Sequence, residues 1–539
     1  MPRRRTIVIV SATAVLLAGA VAGGGYYLLR TQGTPAETAQ RFAQAWQRGD
    51  LTAMRAELAT PVPGFSLAYD HLEKSLGVRS TAVRVTGVSE GEDAATARYS
   101  AAHTLQAGGR WAYDGSLRLV VKDRRWKVQW THAAVHPDLT PTTRPALRAR
   151  WPARGALTAA DGERIDDGDD GGSIRQLTGE LAPAGAKDLA GLGESYKVGD
   201  PIGRGGLQAT FQRRLAGVPA TEIALVDAGG QAVKTLGVLP GKDGESVRTT
   251  LDLKVQRAAV TAIREVEKPA AIVAVRTTTG EILAVVNNGS FNRALDGAYA
   301  PGSTFKVVTA IGLLAAGITP DEQVTCPKNV TIGGREWRNS EHADFGALSF
   351  SDAFAYSCNT TFAPLAVERL GASKLLEVAA SVGFNQPLNI GVPASRASIP
   401  QPGDQAELAA ESFGQGKIIA SPLVMASVAA AVADGTWRPP TLVADMERKT
   451  APKPLPQGVA GPLRQMMRAV VTKGTAKDAG LPEGTYGKTG TAEVGNAPDT
   501  NAWFIGFRGD VAVAVVVEGG GGGGKAAAPV AARFLRGLP

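Results

Sequence analysis

The strongest constraint on the fold is a pair of strand-like segments at opposite ends of a mostly helical stretch. "AAIVAVRTTTGEILAVVNN", from residue 270, has two apolar strands around a Thr-Gly turn, and "NAWFIGFRGDVAVAVVVE", from residue 501, repeats the pattern. Between them, "FKVVTAIGLLAAG" predicts a buried helix that ends at Gly317. We therefore expect one sheet that is assembled from distant parts of the chain and flanked by helices, in an α+β fold.

The length of 539 residues predicts several domains, because a single hydrophobic core stops growing well below that size. Between residues 34 and 58, apolar side chains recur at helical spacing with a break at Gly49, and from about residue 81 the period becomes two. A region from about 150 to 247 carries short strand-like segments and an acidic, glycine-rich turn. We predict a multidomain α+β protein with segments 1–30, 31–145, 146–248 and 249–539.

The amino terminus carries a long uncharged stretch. Three arginines at positions 3 to 5 precede 24 uncharged residues, Thr6 to Leu29. A helix of that length rises about 36 Å, which is enough to cross a membrane, and the arginines would stay in the cytoplasm. This predicts a single-pass anchor in the cell membrane, with the rest of the chain outside the cytoplasm. A cleaved signal peptide is the alternative, because "AGAVAG" offers small residues to a peptidase.

Composition argues against nucleic-acid and metal binding and leaves open whether the two cysteines form a disulfide. The formal net charge of +8 favours anionic surroundings, but no dense Lys/Arg stripe with interleaved aromatic residues occurs, so we predict no nucleic-acid binding. The five histidines are scattered, and we predict no metal site. Cys326 and Cys358 either form a disulfide, as an oxidising compartment would allow, or are two unrelated buried thiols.

The segment "YAPGSTFKVV", residues 299–308, places Ser303 three residues before Lys306. On a helix this spacing puts both side chains on one face. A serine hydroxyl needs a base to act as a nucleophile, and a lysine can serve when burial and nearby cations lower its pKa. The spacing alone is weak, since it arises by chance roughly once in a chain of this length. Its meaning depends on partners elsewhere.

A first partner motif is "YSCNTTF", which contains Ser357 and Asn359. A hydroxyl and an amide two residues apart on a short loop could pass a proton and hold a substrate amide. The similar "SFN" at 290–292 comes before the nucleophile, which disfavours it. A helix cap is the structural alternative for Asn359.

A second partner motif is "GTYGKTGTAEV", which contains Lys488, Thr489, Gly490 and Thr491. Alternation in a strand would point Lys488 to one side and the two threonines to the other. Gly490 would let a substrate backbone approach the strand edge. A second cation at Lys488 would help to keep the first lysine neutral. The three motifs in this order predict one active site.

These motifs resemble those of the penicilloyl-serine transferases. "TTGEILAVV", "ESFGQGKIIASPLVMA" and "YGKTGTAEV" narrow the resemblance to class B penicillin-binding proteins, the monofunctional D,D-transpeptidases of peptidoglycan synthesis, over about 250–539. "WPARGALTAADGERI" resembles the start of their dimerisation or pedestal domain, although "RGALTAADG" departs from the usual pattern. "WAYDGSLRLVVKDRRWKVQW" followed by "HPDL" resembles the nuclear transport factor two-like extension of methicillin-resistance-type proteins.

The resemblance implies a serine acyl-enzyme mechanism without a cofactor. Neutral Lys306 would take the proton of Ser303, which would attack the penultimate D-Ala of a stem peptide ending in D-Ala-D-Ala. The N–H groups of Ser303 and Thr491 would form the oxyanion hole, and Ser357 would relay a proton to the departing D-Ala. An amine from a neighbouring strand would then form the cross-link.

The resemblance also implies the remaining binding roles and partners. Asn359 would hold the amide of the donor peptide, and Lys488, Thr489 and Thr491 would receive its carboxylate. β-Lactams, which mimic D-Ala-D-Ala, would acylate the serine. A membrane glycosyltransferase is the expected protein partner.

Other functions stay open as alternatives. A β-lactam hydrolase would need a group that activates water, and no Glu-x-x-Leu-Asn stretch occurs. A β-lactam sensor would need an intracellular output domain, whereas five residues precede the apolar stretch. A largely non-catalytic wall-synthesis scaffold is the third alternative. The extension domain is interpreted as a spacer or partner-docking module, with a small-molecule site as its alternative.

Overall fold

The computed structural model describes residues 31–167, 172–193, 195–494 and 499–539. The predicted membrane anchor, residues 6–29, lies outside these ranges. Within the described ranges, no helix is both long enough and apolar enough to cross a membrane.

The chain divides into two compact units that do not follow chain order. The first contains the residues up to Ala153 together with Gly217–Asp243, and the second contains Arg154–Ala216 together with Gly244–Pro539. The predicted segment 146–248 is therefore shared between the units. Strand pairing explains this division, because two strands after residue 219 form a sheet with a strand that precedes residue 151.

The first unit contains helices and two antiparallel sheets, of order β1-β2-β3-β4 and β10-β9-β5. The helices predicted on either side of Gly49 are confirmed. The elements are α1 (Pro35–Gln47), α2 (Leu51–Ala56), α3 (Phe65–Leu76), β1 (Val78–Glu90), β2 (Ala94–Leu105), β3 (Arg110–Lys122), β4 (Arg125–Val128), a 3-10 turn (His132–Ala134), β5 (Arg144–Arg150), β9 (Ala220–Val226) and β10 (Ala232–Leu239).

The four-stranded sheet has one buried and one exposed face. Along β2 and β3, Ala97, Tyr99, Leu117 and Leu119 are buried, while the residues between them are mostly exposed. Their side chains pack with Trp46 of α1 and other aromatic residues in the core of the unit. This period of two is the alternation that the sequence predicted from about residue 81.

The second unit begins with short elements that precede its large sheet. They are β6 (Leu157–Thr158), α4 (Gly172–Thr178), β7 (Glu180–Pro183), α5 (Leu189–Leu192), β8 (Pro201–Arg204), α6 (Gly206–Thr210), α7 (Gln212–Ala216) and β11 (Val247–Arg248). Parallel pairing of β11 with β6 brings the chain back to the start of this unit.

A five-stranded antiparallel sheet of order β13-β12-β22-β21-β20 forms the centre of the second unit. Its strands are β12 (Ala270–Arg276), β13 (Ile282–Asn287), β20 (Tyr486–Glu493), β21 (Thr500–Arg508) and β22 (Val511–Val517). The predicted sheet from both ends of the segment is thus confirmed. Because β20 lies at one edge, one of its sides is open to other groups.

Helices and short strands surround this sheet. They are α8 (Leu253–Ile263), α9 (Arg293–Asp296), a 3-10 turn (Gly302–Phe305), α10 (Lys306–Ala315), β14 (Gln323–Cys326), β15 (Asn329–Ile332), β16 (Arg335–Arg338), a 3-10 turn (Ser340–His342), β17 (Gly346–Ser349), α11 (Phe350–Ala355), α12 (Asn359–Leu365), a π-helical turn (Ala366–Leu370), α13 (Gly371–Ser381), α14 (Gln405–Ser412), α15 (Pro422–Asp434), β18 (Thr436–Trp437), β19 (Lys453–Pro454), α16 (Ala460–Thr472) and α17 (Ala527–Arg536). Asp252 caps the N-terminus of α8, since its side chain accepts from Lys254 N and Val255 N.

Candidate active site

Ser303 and Lys306 lie where a 3-10 turn leads into α10. The sequence predicted both residues on one helix, but Ser303 belongs to the turn Gly302–Phe305, and α10 begins at Lys306. A 3-10 turn has three residues per repeat, so positions i and i+3 eclipse each other. The Ser303 Oγ accordingly lies 2.8 Å from Lys306 Nζ. The tighter turn therefore places the hydroxyl beside the amine.

The Lys306 amine is held by two oxygens that can only accept. Its Nζ donates to Asn359 Oδ1 at 2.6 Å and to the Ser357 carbonyl oxygen at 3.0 Å. A neutral amine has two N–H groups and one lone pair. If these two oxygens take both N–H groups, the lone pair is left for the hydroxyl of Ser303, which is the arrangement that a general base requires.

Burial shifts the pKa of both lysines downward. Lys306 and Lys488 have no exposed surface, and within the described part of the chain neither contacts a carboxylate. Burial, and secondarily the charge of Lys488, lowers the pKa of Lys306 well below its usual value of 10.5. Burial lowers the pKa of Lys488 to about 7. Aromatic rings surround the two amines: Phe362 and Phe413 at Lys306, and Phe354 at Lys488.

The Ser357 hydroxyl lies between the two amines. Its Oγ is 2.8 Å from Lys488 Nζ and 3.3 Å from Lys306 Nζ. Ser357 lies between α11 and α12 and has a φ of 63°, in the left-handed region that non-glycine residues rarely adopt. Such a conformation costs of order 1 kcal/mol and persists only when the surrounding contacts impose it. Here it accompanies a hydroxyl that bridges both lysines.

A disulfide ties the Ser357–Asn359 motif to β14. Cys358, the middle residue of the motif, is bonded to Cys326 at the end of β14. Cys358 is also the N-cap position of α12, where its side chain makes no capping hydrogen bond. The cap comes instead from Asn339, whose Oδ1 accepts from Thr360 N at 3.2 Å.

Asn339 and its neighbour clamp the start of α12. The buried Asn339 amide also donates to the carbonyl oxygens of Pro327 at 2.9 Å and Ala343 at 3.0 Å. The preceding carbonyl, of Arg338, accepts from Asn359 Nδ2 at 2.9 Å. Both ends of the Asn359 side chain are thus bound within the protein, which fixes the oxygen that meets Lys306.

The open edge of β20 faces the turn that carries Ser303. The Thr491 carbonyl oxygen accepts from Gln415 Nε2 at 3.5 Å, and a Cβ added to Gly302 would lie 2.7 Å from the same oxygen. This carbonyl therefore points away from β21. In an antiparallel pair, the N–H and C=O of one residue point to the same side, so the Thr491 N–H faces the same edge.

Gly490 allows close packing of β20 on that turn. A Cβ at this position would lie 2.9 Å from Thr304 Cγ2 and 3.0 Å from the Pro301 carbonyl oxygen. The strand edge at Gly490, where the sequence predicted the approach of a substrate backbone, is therefore packed against the turn that carries Ser303. Approach of a substrate along this edge stays a prediction.

The two threonines of the strand have partners of their own. Thr489 Oγ1 is 2.5 Å from Thr475 Oγ1, and Thr491 Oγ1 accepts from Gly523 N at 3.4 Å. A Cβ on Gly523 would overlap the carbonyl oxygens of Gly490 and Trp503. The structure thus brings together Ser303, Lys306, Ser357, Asn359 and Lys488 through direct hydrogen bonds, and places the threonines beside the glycine run at 519–524.

Sequence reasoning missed Asn339, Thr475 and the role of Gly523. The six consecutive glycines at 519–524 were visible, and their contact with β20 explains why side chains are absent at Gly523. Asn339 and Thr475 stand in no motif of their own. Their contacts join residues 21 and 14 positions apart, which local sequence patterns do not encode.

Comparison with known protein families gives three matches along the chain. A family described as "Penicillin binding protein transpeptidase domain" matches residues 270–536. "NTF2-like N-terminal transpeptidase domain" matches residues 34–143, and "Penicillin-binding Protein dimerisation domain" matches residues 168–249.

Curated relatives carry names that agree with these matches. The chain is 30% identical over 383 residues to peptidoglycan D,D-transpeptidase PbpA of Mycobacterium tuberculosis, covering 59% of this chain and 72% of that protein. It is 26% identical over 384 residues to peptidoglycan D,D-transpeptidase MrdA of Acinetobacter baumannii, covering 60% and 56%.

Solved structures show the same fold. Penicillin-binding protein A from M. tuberculosis, solved as a ceftriaxone acyl-enzyme, is 26% identical with a TM-score of 0.56, covering 72% of this chain and 98% of that one. A chain of a peptidoglycan synthase complex, 22% identical with a TM-score of 0.63, covers 74% and 92% and shows the fold alone. With this fold, these matches and the two lysines around Ser357, the chain belongs to the class B penicillin-binding proteins and carries their nuclear transport factor two-like amino-terminal domain.

Proposed function

We propose that Ser303 is the nucleophile of this peptidoglycan D,D-transpeptidase and that Lys306 is its base. The lone pair of neutral Lys306 accepts the hydroxyl proton while Oγ attacks the carbonyl carbon of the penultimate D-Ala. The N–H groups of Ser303 and Thr491 stabilise the oxyanion. The orientation of the Thr491 backbone toward the open edge of β20 supports the second donor.

The departing D-Ala amine needs a proton, and Ser357 supplies it. The Ser357 hydroxyl gives its proton to the leaving nitrogen and regains one from Lys306, which received it from Ser303. An acceptor amine then attacks the acyl carbon, the same relay runs in reverse, and the Ser303 oxygen regains its proton. Atoms balance, since one amide bond is broken and one is formed.

Recognition of the donor peptide falls to the remaining motif residues. Lys488 carries positive charge near the terminal carboxylate, and Thr489 and Thr491 donate hydroxyl hydrogen bonds to it. Asn359 retains one N–H for the donor peptide amide, because its other contacts are to Lys306 and Arg338. β-Lactams enter the same site and acylate Ser303.

One observation carries this proposal: the Ser357 hydroxyl bridges two buried amines, neither of which meets a carboxylate within the described ranges, and one of them is 2.8 Å from Ser303 Oγ. Two unpaired lysines buried together destabilise a fold, so their presence points to chemistry rather than to structure.

Labelling with a fluorescent penicillin tests the proposal. Wild type is expected to form a stable adduct that mass spectrometry after proteolysis places on Ser303, and Ser303→Ala is expected to form none. The neighbouring Thr304→Ser is the matched control, since its hydroxyl donates to the Pro301 carbonyl and away from the site. An adduct on another residue would refute the assignment, and rapid release of the label would favour a hydrolase.

We also propose where the chain is located in the cell, where its domains begin and end, and which kind of protein partner it has. Residues 6–29 anchor the chain in the cell membrane, with the amino terminus in the cytoplasm and the catalytic domain outside. The predicted segments 31–145, 146–248 and 249–539 correspond to extension, pedestal and transpeptidase domains. A membrane glycosyltransferase supplies the nascent strands, as expected for a family in which one fold relative is part of a peptidoglycan synthase complex. Membrane fractionation and co-purification of the intact chain test both points.

A further inference from the structure

The outer face of the four-stranded sheet in the first unit is strongly basic. Side chains alternate along the strands, so the exposed positions of β1 to β4 share the face opposite the buried core. Within the described strands β1 to β4, the acidic side chain on this face is Asp114, because Glu90 at the end of β1 pairs with the buried Ala95 and belongs to the other face. The basic side chains on it are Arg84, Arg98, Arg110, Arg118, Lys122, Arg125 and Lys127.

Three central arginines, Arg84, Arg98 and Arg118, lie on three adjacent strands. Their cross-strand partners are small and neutral: Ser100, Ser116 and Thr96, in that order. Arg84 and Arg118 are therefore each a diagonal neighbour of Arg98 on the adjacent strand, and diagonal neighbours in a sheet lie about 7–8 Å apart. All three arginines are exposed, and among the described residues no carboxylate forms an ion pair with any of them.

Small residues beside these arginines leave the guanidinium groups exposed to solvent. A Cβ added to Gly87 would lie 3.4 Å from Arg98 Nη2, so the guanidinium lies across the glycine. The short side chains of Ser100 and Ser116 lie directly opposite Arg84 and Arg98 on the neighbouring strands. Asp114 is in register with Ser100 and is a diagonal neighbour of Arg98, so one carboxylate faces seven basic side chains. The excess of like charge is repulsive, and an anionic partner would relieve that repulsion.

The chain enters this domain at the edge of the same sheet. Gln32 N donates to the Arg124 carbonyl oxygen at 2.7 Å, and Gln32 bridges to Arg125 of the edge strand β4. The uncharged amino-terminal stretch ends at Leu29, three residues earlier. Three residues span at most about 11 Å, so the edge of the basic face lies within that reach of the end of the proposed anchor.

We propose that this outer face docks on the anionic headgroups of the membrane in which the chain is anchored. The proposal rests on the anchor proposed above. Lipid is favoured over an anionic wall polymer because the attachment at Gln32 holds the sheet edge near the bilayer surface, within about one Debye length of the headgroups. Docking would fix the orientation of the first unit on the membrane.

The test uses the full chain in lipid nanodiscs of phosphatidylcholine, with or without 30% phosphatidylglycerol. An environment-sensitive fluorophore at Ser116→Cys reports contact with headgroups; the native cysteines are paired in a disulfide and do not react. We expect contact in anionic discs, loss of contact at 0.5 M salt, and little contact in neutral discs. Each arginine near an anionic surface contributes about a fivefold factor to binding. Arg84→Gln, Arg98→Gln and Arg118→Gln together should therefore lower the ratio of docked to undocked protein by about a hundredfold.

The matched control removes three exposed basic residues away from this face: Arg48→Gln, Lys74→Gln and Arg148→Gln. It should leave contact unchanged. Equal loss in both triple variants, or equal contact in neutral and anionic discs, would overturn the proposal. So would contact that appears only when a soluble polyglycerol phosphate is added, because that result would assign the face to a wall polymer. Incorporation into neutral discs tests the anchor, and penicillin labelling of the same samples tests the catalytic proposal and the fold.

Discussion

Replacing Lys488 by methionine should stabilise the protein while it abolishes transpeptidation. Lys488 has no exposed surface. Its amine contacts the Ser357 hydroxyl and the Thr489 carbonyl oxygen, and no carboxylate among the residues that the structure describes. Methionine has a similar length and no charge, so it can fill the same space without the cost of burying an ammonium. The substitution therefore separates the effect of Lys488 on the free energy of unfolding from its effect on transpeptidase activity.

The magnitude follows from the pKa of the buried amine. Burial lowers the pKa of Lys488 from 10.5 to about 7. At pH 7 the unfolded chain binds a proton at this lysine almost fully and the folded chain about half, which costs the fold about 4 kcal/mol by linkage. Loss of the two hydrogen bonds offsets about 1–2 kcal/mol of that gain. We expect a net increase of about 2–3 kcal/mol in the free energy of unfolding.

The pH dependence of the stability difference distinguishes the cost of burying a charge from a simple packing effect. Between about pH 7 and 10.5 the unfolded state binds more protons at Lys488 than the folded state does, so wild-type stability rises with pH relative to the variant. At pH 10.5 the lysine is neutral in the folded state and half protonated in the unfolded state, so the cost has fallen below about 0.5 kcal/mol, and it disappears at higher pH. The advantage of the variant should therefore shrink as pH rises, and the lost hydrogen bonds should then reverse it.

Urea denaturation at pH 7, 9 and 10, followed by tryptophan fluorescence, measures the difference. Lys374→Met is the control, because Lys374 is half exposed and pairs on the surface with Glu377. It should change stability by less than about 0.5 kcal/mol at every pH. A Lys488→Met variant that is less stable than wild type at pH 7, or whose advantage is the same at pH 10, would refute the argument.

Three further predictions concern acylation by a fluorescent penicillin, measured as a rate by stopped flow. The rate should fall when acid protonates Lys306, and burial, which lowers the pKa of this lysine, places that fall well below pH 10.5. A rate with no acid limb at any pH at which the protein stays folded would exclude Lys306 as the base. Gly523→Ala should slow acylation at least about tenfold, since its Cβ overlaps the carbonyl oxygen of Gly490, while Gly522→Ala, which meets nothing within 4 Å, should not; equal rates would contradict the packing argument. Asn339→Ala should slow acylation by a similar factor and Asn339→Asp by less, because aspartate retains the oxygen that caps α12; wild-type rates in both would exclude a positioning role.

Local chemistry explains why much of the fold was predictable. The break at Gly49 and the alternation in β2 and β3 depend on residues within a few positions of one another. The sheet from β12 to β22 followed from its apolar strands alone. The assignment of β9 and β10 to the first unit was not predicted, because the pairing of β9 with β5 joins residues 70 to 82 positions apart and no local pattern distinguishes it.

The sequence by itself determined which groups are available for catalysis: a hydroxyl and an amine three residues apart, a second hydroxyl with an amide, and a lysine on a strand. Only the tertiary structure decided that Ser357 lies between both amines, since its bond to Lys488 joins residues 131 positions apart, and Lys306 meets Asn359 across 53. It also decided that both lysines are buried, with no carboxylate beside either of them in the part of the chain that the structure describes. The physical reason is that side-chain chemistry is a local property, whereas distance, burial and the resulting pKa depend on how remote segments pack.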